Sequence, residues 1–314
     1  MKIKASITGI SGYIPEYVLT NFELEKIINT NNEWIINRTG IKERRILKKK
    51  NKGSSYMGIK AIKKLIKKKK VKTKKIDLII CSTITPDFIF PSNGSIISNA
   101  IKAINSFSYD INAACSGFLY AMTIGAQFIE TEKYKLIMII GVDKMSSIIN
   151  YRNKSNCILF GDGAGVILLE PNKKKLGIID SISKSDGKGR KYLYQKKKKY
   201  LYQDGKNVFK FAVNELVNIS KEIIKKNKVN IEDIDFLIPH QANKRIINSV
   251  SKNININKKK VIITIDKYGN TTNGTIPISL WNDESKFKKG NKIILSVFGA
   301  GFSSGSIYLK WSYN

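Results

Sequence analysis

Three separated segments carry side chains suited to nucleophilic chemistry. In "DINAACSGFLYAM", residues 110–122, an extended run ends in small residues, and Cys115 falls just before an amphipathic helix with Phe118, Met122, Gly125 and Ile129 at helical spacing. Free N–H groups and the dipole at a helix N-terminus favour the thiolate, the form in which sulfur attacks an electrophile. Ala113, Ala114, Ser116 and Gly117 leave room for a substrate, although a buried structural cysteine fits the same segment. His240, the one histidine of the chain, sits in "FLIPHQAN" just past an apolar run, where ligands gather in open α/β sheets. With Gln241 and Asn243 it forms a polar cluster that opens a helix, which reads as a site rather than a core. "DKYGNTTNGTIP" places Asn270 after "VIITID", at another strand end; turn chemistry alone also accounts for it.

Bringing these segments together requires a regular framework, and the apolar pattern supplies one. The strand "KASITGI" leads to a helix "NFELEKIINTNNEWI" and a helix "SSYMGIKAIKKLIKK", then to the strand "IDLIICSTI". A helix "PSNGSIISNAIKAI", a strand "SFSYDIN", a helix "GFLYAMTIGAQFIETEK" and a strand "YKLIMIIGVD" follow. This alternation is α/β organisation, with buried strands covered by helices. "CILFGDGAGVILLE" reads as two strands joined by a glycine-rich turn; its "GDGAG" lacks the following Lys-Ser/Thr helix of a phosphate loop. The same grammar resumes with "LGIIDSIS", a long helix "NVFKFAVNELVNISKEIIKKN", the strand "IDFLIPH", a helix "NKRIINSVSKNI", a strand "VIITID" and closing strands in "NKIILSVFGAGFSSGSIYLKW". Two related halves are expected, 1–171 with the cysteine and 172–314 with the histidine and asparagine, though no clear internal repeat is visible. Residues 186–207 interleave lysines with four tyrosines and read as a surface loop in preference to a base-stacking platform.

Composition narrows the functional classes. At 314 residues and 42% hydrophobic content the chain can bury a large core. Its longest apolar run, "LIMIIGV", is too short to span a bilayer, and the first residues alternate like a strand instead of forming a signal core. A cytoplasmic protein without membrane contact is expected. The formal charge of +32 raises the question of nucleic acid, but the lysines sit in short runs between apolar segments, accompanied by abundant isoleucine and asparagine. Compositional bias accounts for that pattern without nucleic acid, leaving a role in attracting an acidic partner. Cys81 and Cys157 lie in apolar runs and read as core thiols; three cysteines without a C-x-x-C spacing give neither a disulfide framework nor a zinc site.

Cysteine, histidine and asparagine in this order resemble the ketoacyl synthase III family of condensing enzymes. The resemblance spans essentially the whole chain and is carried by "NEWIINRTGI" (32–41), "FPSN" (90–93), "DINAACSGF" (110–118), "FGDGAG" (160–165), "NVFKFAV" (207–213), "PHQANKRI" (239–246), "YGNTTNGTIP" (268–277) and "FGAGFSSGS" (298–306). It implies a thiolase-type α/β fold, two similar halves forming a five-layer αβαβα core, in a homodimer. It also implies decarboxylative condensation of acetyl-CoA with a malonyl thioester on acidic acyl carrier protein, at the start of fatty acid synthesis. The CoA thioester is then a substrate, and no cofactor or metal is expected.

Residue by residue, the resemblance makes Cys115 the nucleophile, with His240 Nε2–H and the Asn270 amide as donors in decarboxylation. The backbone N–H groups of Cys115 and Gly301 form an oxyanion hole. Trp34 and Arg38 sandwich the CoA adenine, and Asn243 joins the CoA-binding set and the hydrogen-bond network beside the triad. Arg245 docks the carrier protein, and Phe90 crosses the dimer to close the partner's acyl pocket. Two departures stand out: Gly299-Ala300-Gly301 replaces a GGG run, and Tyr268 stands where many members have histidine. Elongating synthases use two histidines, which this chain lacks; hydroxymethylglutaryl-CoA synthase adds a glutamate that "FPSNGSIISNA" does not offer.

Overall fold

β1 (Lys4–Tyr13) is the first strand of the computed structural model, which describes residues 3–197 and 199–314. One lysine of the 196–199 run therefore lies outside the described residues. β2 (Tyr17–Thr20) and β3 (Glu43–Ile46) pair antiparallel as a side ribbon. Between them lie α1 (Asn21–Glu25) and α2 (Asn32–Thr39), where sequence periodicity predicts one helix. Capping causes the split: Thr20 and Glu23 form a reciprocal box on α1, and the Asn31 side chain accepts the Trp34 N–H to start α2 afresh.

The first half continues with α3 (Ser54–Lys69), β4 (Leu78–Ser82), α4 (Asn93–Ala100), β5 (Phe107–Ile111), α5 (Gly117–Glu130), β6 (Ile137–Asp143), α6 (Lys154–Cys157) and β7 (Gly163–Asn172). The second contains β8 (Gly177–Ser185), a small hairpin of β9 (Leu193–Tyr194) and β10 (Tyr202–Gln203), α7 (Gly205–Lys226), β11 (Phe236–Pro239), α8 (Lys244–Asn253), α9 (Ile265–Tyr268), α10 (Thr275–Asn282), β12 (Lys292–Gly299) and β13 (Ser303–Lys310). One sheet has the order β5-β4-β6-β7-β1 and the other β11-β12-β13-β8, extended beside β11 by a parallel bridge at Val261. From that outer edge inward, both run parallel, parallel, antiparallel, antiparallel. The two halves are thus built alike.

α5 and α10 pack against both sheets, while α3 and α4 cover the outer face of the first and α7 and α8 that of the second. The result is five layers, αβαβα. α5 is apolar nearly all round, burying Phe118, Leu119, Ala121, Met122, Ala126 and Ile129, because it has a sheet on either side.

Two expected strands take other forms. "VIITID" keeps only the bridge at Val261, because the Gln241 side-chain oxygen accepts the N–H groups of Thr264 and Ile265 and turns the chain into α9. In "CILFGDGAGVILLE" only the part from Gly163 is a strand; Leu159 to Gly161 instead pair with Asn270, whose N–H donates to Leu159 O at 2.8 Å while its O accepts Gly161 N–H at 3.1 Å. The first half thereby grips the loop that carries Asn270.

Candidate active site

Cys115 stands in the turn between β5 and α5, one residue before the N-cap Ser116. Ala114 has φ of 48°, in the left-handed region that costs an L-residue about 1–2 kcal/mol, and the turn sets the thiol at the junction of the halves. Gly299 lies against it: a Cβ there would come 2.8 Å from the Cys115 nitrogen. His240 follows β11 and is 1% exposed. Its Nδ1 lies 2.7 Å from Thr275 Oγ1, and its buried Nε2 has no partner among the described residues. Asn270 Oδ1 accepts the Thr272 N–H at 2.9 Å, which leaves the amide NH2 as the end available to a ligand.

Cys115, His240 and Asn270 line one cavity of about 110 Å³, with Phe298 and Ala300 in its wall. β9, β10 and the turn between them contribute Leu193, Gln203 and Leu201, so the segment expected as a surface loop forms one side of the site. An outer groove of about 390 Å³ holds Trp34, Arg38, Asn243 and Arg245 and shares Leu159, Gln203, Phe209 and Asn243 with the cavity. A thioester arm entering from that rim has a continuous path to Cys115.

Burial governs the titrations. It pushes the Cys115 thiol up to about 12, with the charge of Asp143 adding to the effect. Burial also pulls His240 down to about 4, leaving a neutral imidazole at physiological pH.

The remaining site residues divide. Asn243 caps α8, its Oδ1 accepting Arg245 N–H at 2.8 Å while its Nδ2 donates to Arg38 O at 3.2 Å, and so it ties α2 to α8. The Arg245 guanidinium rests 5.1 Å from the Phe209 ring centroid. The Lys154 ammonium lies over the Trp34 ring, 4.0 Å from its centroid, and Trp34 and Arg38 line the same outer groove. Gly299 and Ala300 line the Cys115 cavity, while Ala300 and Gly301 line a neighbouring groove. The N–H groups of Cys115 and Ala300 donate to no backbone carbonyl among the described residues. Phe90 lies outside the cavity, 83% exposed.

Sequence reasoning missed Asp143 and Thr275. Asp143 ends β6 and accepts from Thr83 Oγ1, Ile84 N, Thr85 N and Thr85 Oγ1 on one oxygen, and from Thr272 Oγ1, Asn273 N and Asn273 Nδ2 on the other. Its one visible signal was a carboxylate closing the apolar run "LIMIIGVD".

The family profile described as 3-oxoacyl-[acyl-carrier-protein (ACP)] synthase III matches residues 109–187, and that of its C-terminal region matches 224–311. Beta-ketoacyl-[acyl-carrier-protein] synthase III 1 of Bacteroides thetaiotaomicron is 45% identical over 328 aligned positions, covering 100% of this chain and 98% of its own. The synthase III of Phocaeicola vulgatus is 44% identical with the same coverage. Among solved structures, 3-oxoacyl-[acyl-carrier-protein] synthase III from Aquifex aeolicus superposes with a TM-score of 0.95 at 38% identity, covering 98% of this chain and 100% of that one. The Thermus thermophilus enzyme gives 0.94 at 31%, again covering 98% and 100%.

Proposed function

The chain belongs to the 3-oxoacyl-[acyl-carrier-protein] synthase III family, and from that premise we propose that it condenses acetyl-CoA with malonyl-[acyl carrier protein] through a Cys115 acyl-enzyme. The observation that carries the reading is the single cavity in which Cys115, the unpartnered His240 Nε2 and the Asn270 amide meet. Cys115 sulfur attacks the acetyl carbonyl carbon, the bond to CoA sulfur breaks, and the thiol proton ends on the departing CoA. The Cys115 N–H and the Ala300 N–H, in place of Gly301, hold the oxygen of the tetrahedral intermediate. Loss of such a donor costs about 2.7–4 kcal/mol of barrier.

The malonyl thioester then loses carbon dioxide, and the electron pair of the broken C–C bond moves toward the thioester oxygen. His240 Nε2–H and Asn270 Nδ2–H donate to that oxygen, stabilising the enolate more than the ground state. The enolate carbon attacks the acetyl group, Cys115 leaves as thiolate and is reprotonated, and acetoacetyl-carrier protein departs. The products are CoA, carbon dioxide and the acetoacetyl thioester; every group needed is a side chain, a backbone N–H or substrate, so the reading uses no cofactor.

Partners follow from the surface. Seven ion pairs among the described residues engage few of the 56 lysines and arginines, which leaves a basic exterior for an acidic carrier protein around Arg245. β5 is a sheet edge beside exposed Ile104, Phe107 and Phe90, a face suited to a second copy, with Phe90 reaching the partner's acyl pocket and favouring an acetyl starter. Residues 1–171 and 172–314 act as the two halves. No helix of the described residues is long and apolar enough to cross a membrane, and the cytoplasm is the proposed location.

Intact mass after brief incubation with acetyl-CoA tests the first half-reaction, with Cys115→Ala beside the native protein. One acetyl group on the native protein alone is expected, and His240→Ala and Asn270→Ala should acylate yet lose malonyl decarboxylation. Uptake only from longer or branched acyl-CoAs would reassign the starter; no uptake from any acyl-CoA would remove the catalytic reading.

A further inference from the structure

The reading above requires His240 to offer a proton from Nε2, and a neutral imidazole carries its one proton on either nitrogen. Which nitrogen holds it depends on the bond made by the other. The partner of Nδ1 is a hydroxyl, Thr275 Oγ1, at 2.7 Å. That hydroxyl has one hydrogen and two neighbours to choose between, because the Thr272 carbonyl oxygen lies 2.9 Å away.

Two observations favour Nδ1 as the acceptor. The Thr272 carbonyl already accepts the backbone N–H of Thr275, so it does not depend on the hydroxyl. The 2.7 Å separation is short for an N–H donor, whose bonds centre near 2.9–3.0 Å. A hydroxyl that donates to Nδ1 places the ring proton on Nε2.

We propose that Thr275 is a positioning residue whose hydroxyl holds His240 in the Nε2–H tautomer, aimed at the thioester oxygen. A carboxylate in its place would draw a proton onto Nδ1 and stabilise the charged ring. A hydroxyl fixes the proton's place without adding charge, which suits a donor that stays neutral through the cycle. The site of Thr275 is itself fixed: it is the first residue of α10, and the turn before it is clamped by Asp143 through Thr272 and Asn273.

His240 is the sole histidine, which makes the test direct. Protein labelled with ¹⁵N-histidine and made without a histidine tag gives nitrogen resonances from this ring alone, and long-range proton–nitrogen correlation distinguishes pyridine-like from pyrrole-like nitrogen. The native protein and Thr275→Ser should show pyridine-like Nδ1 and pyrrole-like Nε2. Thr275→Val should lose that preference, and malonyl decarboxylation by its acetylated form should fall about tenfold, with acetyl uptake affected far less. Native protein with the proton on Nδ1 would overturn the proposal, as would Thr275→Val that keeps the native tautomer. Should Thr275→Val not fold, the native and Thr275→Ser spectra decide. This inference rests on the condensing reaction for its purpose but not for its readout: an Nε2–H ring in a protein that takes up no acyl group would sink the function and leave the Thr275 assignment standing.

Discussion

Acidification should destabilise this protein through its single histidine, by an amount the structure specifies. His240 is 1% exposed, and burial holds its folded-state pKa at about 4 against about 6.5 in an unfolded chain. Below about pH 6.5 the unfolded chain takes up a proton that the folded one refuses, so stability falls as pH falls and the loss is complete only below about pH 4. Between about pH 7 and about pH 4.5 the loss is on the order of 2 kcal/mol. Asp143, Asp162 and Asp110 act in the opposite sense, because burial raises their pKa and the folded state then takes up protons first. Those contributions cancel when native protein is compared with His240→Gln, which cannot titrate. Urea unfolding followed by tryptophan fluorescence, which includes buried Trp311, at both pH values and one protein concentration, should show the native protein losing on the order of 2 kcal/mol relative to the variant. Parallel losses in the two proteins would refute the burial argument, and with it the neutral donor assigned to His240.

Two further outcomes follow from the same geometry. With its thiol pushed up to about 12, Cys115 should accept acetyl from acetyl-CoA in single-turnover mass measurements at a rate rising about tenfold per pH unit between about pH 6 and about pH 9; a plateau below about pH 8 would mean that substrate binding or the helix end lowers the thiol. Gly141→Ala should destabilise the protein by about 1–3 kcal/mol in thermal unfolding and impair condensation more than acetyl uptake, because the new methyl would collide with the Asn273 carbonyl and displace the Asn270 loop.

Local signals made much of the site legible before any coordinates. Cys115 was readable because small residues precede a helix whose buried positions recur at helical spacing, and His240 because it follows a short apolar strand. Signals that depend on distant partners were not readable. "VIITID" has strand propensity throughout, yet a side chain 23 positions earlier in sequence takes the Thr264 N–H and ends the extended run. The Asn-rich stretch before α2 hid a cap inside an apparently continuous helix. Which residues of the glycine loop line the Cys115 cavity depends on the path of a turn, which spacing does not specify: Gly299 and Ala300 line it and Gly301 lines the neighbouring groove.

Asp143 shows why such partners matter to the chemistry. Its donors lie 58 to 60 positions before it and 129 to 130 after it, so this carboxylate joins the loop after β4 to the turn that follows Asn270. Thr272 in that turn has φ of 49°, a conformation a β-branched residue seldom adopts, and its hydroxyl is bound to Asp143. Seven donors on one carboxylate supply the constraint that keeps the unfavourable backbone in place and, through it, the Asn270 amide and the Thr275 hydroxyl. The cost appears at the nucleophile, because the same negative charge helps keep the Cys115 thiol protonated. Rigidity of the two proposed donors and a low thiol pKa thus pull against each other in this fold, because the carboxylate that orders the turn also raises the Cys115 thiol.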